Sequence, residues 1–234
     1  YCNGGSYDDP GCELRVVDSV ISGNSGGIGL FSEYGYDGVI AIERSTITSN
    51  RFGVDCDGWI YGNCRVAITD TLIAGNFGQA VHGNSDAAIS ISRTQIVENG
   101  GGVYVWGWEH ADSTLRIVDS VVAKNSDLGI NLSGIWTTGA IENTLIAHNT
   151  GVGIKADGGA SLDISKSTIS GNQGGISFSG RYSAAYWGYS MKVENSTISG
   201  NNNQSPGGGD YIFCGSNGYG GDPSTIHNST ISNN

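Results

Sequence analysis

Lysine and arginine are scarce, 11 in a chain of 234 residues against 22 aspartates and glutamates, and the net charge is −11. Nucleic acid and anionic membrane surfaces demand the opposite balance, so both are excluded as partners. Charged residues of either sign make up only 14% of the chain and never run together. No linker-like shift in composition appears, so the chain reads as one domain. No apolar run approaches the roughly eighteen residues that cross a membrane. A Ser-His-Asp set and a phosphate-cradling glycine loop are also missing, and the 39 glycines follow a turn pattern instead. The Leu-x-x-Leu-x-Leu framework of leucine-rich repeats is absent, as is the nonapeptide pattern of calcium-binding β-rolls. The chain begins with Tyr1 and carries no signal peptide, which fits a processed secreted protein and a trimmed chain equally.

What is there is repetition. One phrase recurs nine times and ends in Asn24, Asn50, Asn76, Asn99, Asn125, Asn149, Asn172, Asn201 and Asn234. The period is about 26 residues, which marks a solenoid with one structural unit per repeat. Eight positions before each Asn stands Val or Ile, from Val16 and Ile42 to Val193 and Ile226. Three positions before it stands another, from Ile21 and Ile47 to Ile198 and Ile231. β-Branched residues in both columns favour strands over helices. Five positions before the Asn is always Ser or Thr, small enough for a tight interior and able to bond a neighbouring backbone. The residues four and two before the Asn, such as Thr46 and Thr48, alternate with the apolar column and point outward.

After each Asn comes a short glycine-containing turn and a second apolar pair, as in Gly27-Ile28, Gly53-Val54 and Gly102-Val103. Each repeat is therefore two or three short strands separated by turns. Stacked about 4.8 Å apart, nine coils make a rod roughly 40 Å long. Like side chains lie over like, giving isoleucine ladders inside and an asparagine ladder at one corner. Asn tolerates the left-handed backbone of a sharp turn, and its amide can bond the copies above and below.

With its Ser167–Asn172 and Ser196–Asn201 strings reading STISGN, and near-copies in every other coil, the chain resembles the right-handed parallel β-helices of the pectate-lyase-like superfamily. The closest likeness is to secreted or surface proteins with tandem STISGN repeats, and it covers about residues 13–234. The resemblance implies an all-β, right-handed parallel β-helix of about nine coils with an Asn ladder. It leaves activity open, because the superfamily includes lyases, hydrolases, epimerases, adhesins and inert spacers. Its lyases use a basic residue and calcium held by several aspartates. The resemblance leaves calcium open here although no motif supports it, and no other cofactor is expected.

Five cysteines point to an oxidising compartment and a secreted or cell-surface location. Cys56 and Cys64 bracket one loop, and Cys2 and Cys12 bracket the N-terminal segment. A bridge in either is worth about 2–3 kcal/mol by loop-closure entropy. Metal binding is the weaker reading, because the spacing is not that of a zinc site. Cys214 is left over. Residues 1–12 read as an N-terminal cap and 13–234 as the helix, whose last coil is incomplete or uncapped and offers a surface for self-association.

Function is sought where aromatics gather. Trp59, Trp106, Trp108, Trp136 and Trp187 all fall between the second apolar pair and the next coil, together with Tyr61, Tyr186 and Tyr189. Asp55, Asp57, Asp86 and other acids share these segments, so aromatic-rich loops on one side of the rod are expected. Flat rings beside carboxylates suit carbohydrate, with Trp59, Tyr61, Trp106, Trp108, Trp136, Tyr186 and Trp187 as candidate glycan-binding residues. Long loops folding back over their own aromatics, or a protein–protein surface, account for the same cluster. The expectation is an extracellular structural or adhesive solenoid without assigned catalytic residues, its partner a polysaccharide or cell-surface glycan. The alternative is a polysaccharide-active enzyme using loop carboxylates, with Asp55, Asp57 and Asp86 on neighbouring coils and His82 close by.

Overall fold

The computed structural model describes residues 2–4, 12–33, 37–59, 63–107, 112–134, 136–179, 189–201, 212–215 and 223–234. Of residues 2–4, 33, 59 and 212–215 only the backbone is described.

Three parallel sheets of nine strands each wind along the chain, and every coil contributes one strand to each sheet. Sheet A holds the strands that follow the Asn turn, such as Val54–Trp59, Gln79–Asn84 and Gly101–Trp106. Sheet B holds the next strand of each coil, such as Asn63–Thr69 and Ala87–Ser92. Sheet C holds the three-residue strands around the second isoleucine column, such as Thr46–Thr48 and Leu72–Ala74. Registers are strict: Ile42 lies beside Ile68, which lies beside Ile91, and Ile47 beside Ile73. The anticipated solenoid is thus present, with nine rungs. Cys2–Gly4 pairs with Leu30–Ser32 and forms the first strand of sheet A.

The interior is a set of stacked columns. Ile42, Ile68 and Ile91 are fully buried, as are Ile47, Ile73 and Ile96. Sheet A adds Val54, Val81, Ile130 and Ile154. Burying each such side chain stabilises the fold by about 1.5–3 kcal/mol. Close stacking also explains the turn glycines. A Cβ on Gly102 would run into the carbonyl oxygen of Gly129 in the next coil.

Two polar columns complete the frame. Each Ser or Thr before sheet C accepts from the backbone N–H of the previous coil and donates to the carbonyl two residues back; Thr71 Oγ1 accepts from Ser45 N at 3.3 Å and donates to Thr69 O at 2.8 Å. Each repeat Asn accepts from its predecessor, and Asn50 through Asn201 are buried. One expectation is corrected here. These asparagines do not adopt the left-handed conformation; the residue just before each one does, among them Gly23, Ser49, Gly75 and Glu98. The Asn side chain turns inward to its ladder while its neighbour absorbs the bend.

A second left-handed corner lies six residues before each Asn, between sheets B and C. Asp18, Arg44, Asp70, Arg93, Asp119, Asn143, Lys166, Asn195 and Asn228 all have φ between 45° and 51°. Their side chains meet rung to rung. Arg44 grips Asp18 through two nitrogens at 2.7 and 2.9 Å, and Arg93 grips Asp70 at the same two distances.

The Cys56–Cys64 disulfide is formed across a Cα separation of 5.8 Å, and both residues are fully buried. Cys12 is also disulfide-bonded. The side chains of Cys2 and Cys214 lie outside the description.

Candidate functional site

Strand alternation fixes what the rod presents to solvent. In Val54-Asp55-Cys56-Asp57 the first and third residues face the core, so Asp55 and Asp57 stand on the outer face of sheet A. Stacking carries the same rule along the rod. Asp55 lies in register with His82, His82 with Tyr104, Tyr104 with Asn131, and Asn131 with Lys155. A second column runs alongside it through Asp57, Asn84, Trp106, Ser133 and Asp157. Five rungs of sheet A thus expose a continuous strip of acids, amides, one histidine, one lysine and two aromatic rings.

Within the strip the groups are joined. The Asp55 carboxylate sits 2.7 Å from Nδ1 of His82, and both side chains are about a third exposed, at 32% and 30%. The His82 ring stacks on Tyr104 with centroids 5.3 Å apart and planes at 23°. Asn84 Nδ2 donates to Asp57 at 3.0 Å. Lys155 and Asp157 form an ion pair at 2.8 Å.

Burial and the neighbouring Asp55 charge push the Asp57 carboxyl above its ordinary range, against the hydrogen bond from Asn84. Burial likewise raises Tyr104, with the Asp157 charge adding to it, so its hydroxyl keeps its proton. Beside Tyr104 and Asn131 opens a small pocket of about 100 Å³, also lined by Gln79 and Asp127. Two buried acceptors on this face, Asn131 Oδ1 and Asp157 Oδ1, have no hydrogen-bond partner.

The placement of several anticipated residues changes. Asp55, Asp57, Trp59 and Trp106 belong to strands of sheet A, not to loops. The reason is length: the apolar pair after each Asn turn is only the start of a strand of up to six residues. Trp136 stands in a turn before the strand Thr138–Glu142 and is partly exposed. Tyr189 is a buried core residue packed 6.0 Å from Phe178, where a loop ring is expected. Tyr61, Trp108, Tyr186 and Trp187 lie outside the described residues, as does the Trp59 side chain. Asp86 sits in the turn after the strand Gln79–Asn84, where its Oδ1 accepts from the Asp112 backbone N–H at 2.9 Å. Burial raises its carboxyl. The turn sets it apart from the strip.

Asp157 is one of the acids expected in the aromatic-bearing segments, whereas Tyr104, Asn84, Asn131 and Lys155 are not marked by that clustering. Period-two alternation anchored on Val54, Val81, Val103, Ile130 and Ile154 exposes all five, because the first and third residues after each anchor face outward. Lys155 also supplies the basic residue among acids that composition alone does not reveal. Among the described residues no three His, Cys, Asp or Glu side chains come together as a metal site. No described helix is long and apolar enough to cross a membrane.

A family model described as a right handed beta helix region matches residues 110–234 of this chain. No curated protein and no solved structure matches it.

Proposed function

The chain belongs to the right-handed β-helix family, and from that premise we propose that it is a secreted solenoid that binds polysaccharide along the outer face of sheet A. One observation carries the reading: Tyr104 and Trp106, on one strand, are flanked within a rung by His82, Asn84, Asn131 and Ser133. Rings give sugar C–H faces a surface to stack on, and side-chain oxygens and nitrogens meet the hydroxyls. A long glycan running along the rod meets the same spacing at each step. The Cys56–Cys64 bridge supports an oxidising, extracellular setting. A rigid nine-rung rod suits a structural or adhesive role at a cell surface.

The test is depletion of the purified protein by insoluble polysaccharides, compared with Tyr104→Ala and Trp106→Ala. Each variant is expected to bind at least about tenfold more weakly, as the loss of a ring contact with its buried area implies. Unchanged binding in both would remove the strip as the glycan surface. The Asp55–His82 pair favours a second reading, in which the bound glycan is also cut.

A further inference from the structure

We propose that His82 and Asp57 are the catalytic base and acid of a glycoside hydrolase centre on sheet A, that Asp55 positions His82, and that the substrate is a neutral polysaccharide. The proposal rests on the glycan-binding reading of the same face.

Geometry comes first. The carboxylate of Asp55 accepts the hydrogen bond at 2.7 Å, so Nδ1 of His82 carries the hydrogen and the Nε2 lone pair is left to take a proton. Stacking against Tyr104 holds the ring from its other side. The base therefore has an orienting group and a wall, as such a role requires.

Asp57 stands two residues beyond Asp55 on the same face of the same strand, diagonal to His82. With rungs about 4.8 Å apart and alternate residues about 6.6 Å apart, that diagonal is about 8 Å between backbones. Side chains on one face stand roughly parallel off the sheet, so this diagonal sets a functional-group spacing of the order of the roughly 6.5–9.5 Å that inverting hydrolases keep between acid and base. Asn84 fixes the carboxyl of Asp57, and partial burial together with the Asp55 charge favours its protonated form.

The step balances. Water oxygen attacks the anomeric carbon as His82 Nε2 takes one of its protons. The bond from the anomeric carbon to the glycosidic oxygen breaks, its electron pair goes to that oxygen, and Asp57 supplies the proton. The products are a new reducing end of inverted configuration and a free hydroxyl on the departing sugar. His82 then releases its proton to water and Asp57 regains one.

Charge selects the substrate class. Asp55 and Asp157 bring negative charge to the strip while Asp57 holds its proton, and the one lysine, Lys155, is held by Asp157 at 2.8 Å. An acidic polymer meets net repulsion there, whereas a neutral one meets rings and hydrogen-bonding groups.

The experiment incubates the full chain with cellulose, mannan, xyloglucan and chitin, with polygalacturonate as the acidic comparator, in water enriched in oxygen-18. Bound protein is measured by depletion and products by mass spectrometry and NMR. The expected result is cleavage of at least one neutral polymer, one heavy oxygen per new reducing end, and inverted configuration. His82→Gln and Asp57→Asn are expected to lower kcat at least about a hundredfold while still being depleted by the polymer, which shows that they fold. Asp55→Asn is expected to lower kcat with KM unchanged. Binding without product in the wild type would overturn the hydrolase and leave the glycan-binding reading intact. Neither binding nor product would overturn both. Undiminished cleavage by His82→Gln or Asp57→Asn would remove those residues from the centre. Retained configuration, an unsaturated product, or cleavage of polygalacturonate alone would overturn the reaction or its substrate class.

Discussion

Asn99 Oδ1 accepts two hydrogen bonds from Asn76, one from the backbone N–H at 3.0 Å and one from Nδ2 at 2.8 Å. Asn99 in turn donates through Nδ2 to the carbonyl of Ile73 at 3.0 Å and to Asn125 at 3.1 Å. Its removal strands the buried donors of Asn76 in a site closed to water. Asn99→Ala is expected to cost about 2–4 kcal/mol, whereas Asn24→Ala, on the exposed first rung, costs less than about 1 kcal/mol. Denaturant midpoints of the two variants check this, and equal losses would contradict a buried ladder.

Glu98 takes φ of 59° at the position where Gly23, Gly75, Gly171 and Gly200 stand in other coils. Its carboxylate pairs with Lys124 at 3.8 Å, and both side chains are exposed. Relief of the left-handed strain outweighs loss of a contact of that kind. Glu98→Gly is expected to raise stability by about 0.5–1 kcal/mol, measured as a higher melting temperature. The converse change, Gly75→Val, is expected to lower it.

Cys56 and Cys64 tie sheet A to sheet B within one coil, with both residues fully buried. Replacing both with alanine is expected to cost about 2–3 kcal/mol, of which the loop-closure term is the larger part. Hydrogen exchange is expected to rise first in Val54–Trp59 and Asn63–Thr69, the two strands the bridge joins. Uniform loss of protection along the whole rod would contradict that local role.

Burial, and the Asp55 charge beside it, raise the Asp57 carboxyl above its ordinary value. A carboxyl raised in the folded state binds its proton more tightly there than in the unfolded chain. Its stabilising contribution is full below the unfolded value and disappears as pH rises through the folded value. Asp57→Asn is therefore expected to be more stable than the wild type near pH 7, with the advantage shrinking as pH falls towards 4. Asp18 and Asp70 run the other way, since Arg44 and Arg93 hold them below the usual range. Neither is touched by the substitution, so melting curves of the two proteins across pH isolate the Asp57 contribution.

The interior columns were legible because Ile42, Ile68 and Ile91 recur with no exception in type, and a hydrophobic ladder tolerates little else. The left-handed corner between sheets B and C was hidden for the opposite reason. It is occupied by Asp18, Arg44, Asp70 and Lys166, and no glycine marks it. Contacts to the neighbouring rung, Asp18 with Arg44, Asp70 with Arg93 and Lys166 with Glu142, accompany a conformation that sequence habit assigns to other residues. The candidate site was half visible. Asp55, Asp57 and His82 stand close in sequence to aromatics and invite notice, but Tyr104 sits between Val103 and Val105 and reads as core until the strand's parity is fixed. Lys155 and Asp157 become neighbours of Tyr104 only through stacking, at a separation of some fifty residues that no local pattern spans.

The asparagine ladder has a direction. Asn24 N–H finds its acceptor on Asn50, Asn50 on Asn76, and so on to Asn201, whose acceptor is Asn234. The hydroxyl column points the same way, from Ser45 N to Thr71 and from Thr71 N to Thr94. Every corner therefore stays unfinished until the following coil arrives to close it. For a chain that emerges from the ribosome N-terminus first, synthesis and closure advance in the same sense, and the newest coil is always the one still waiting.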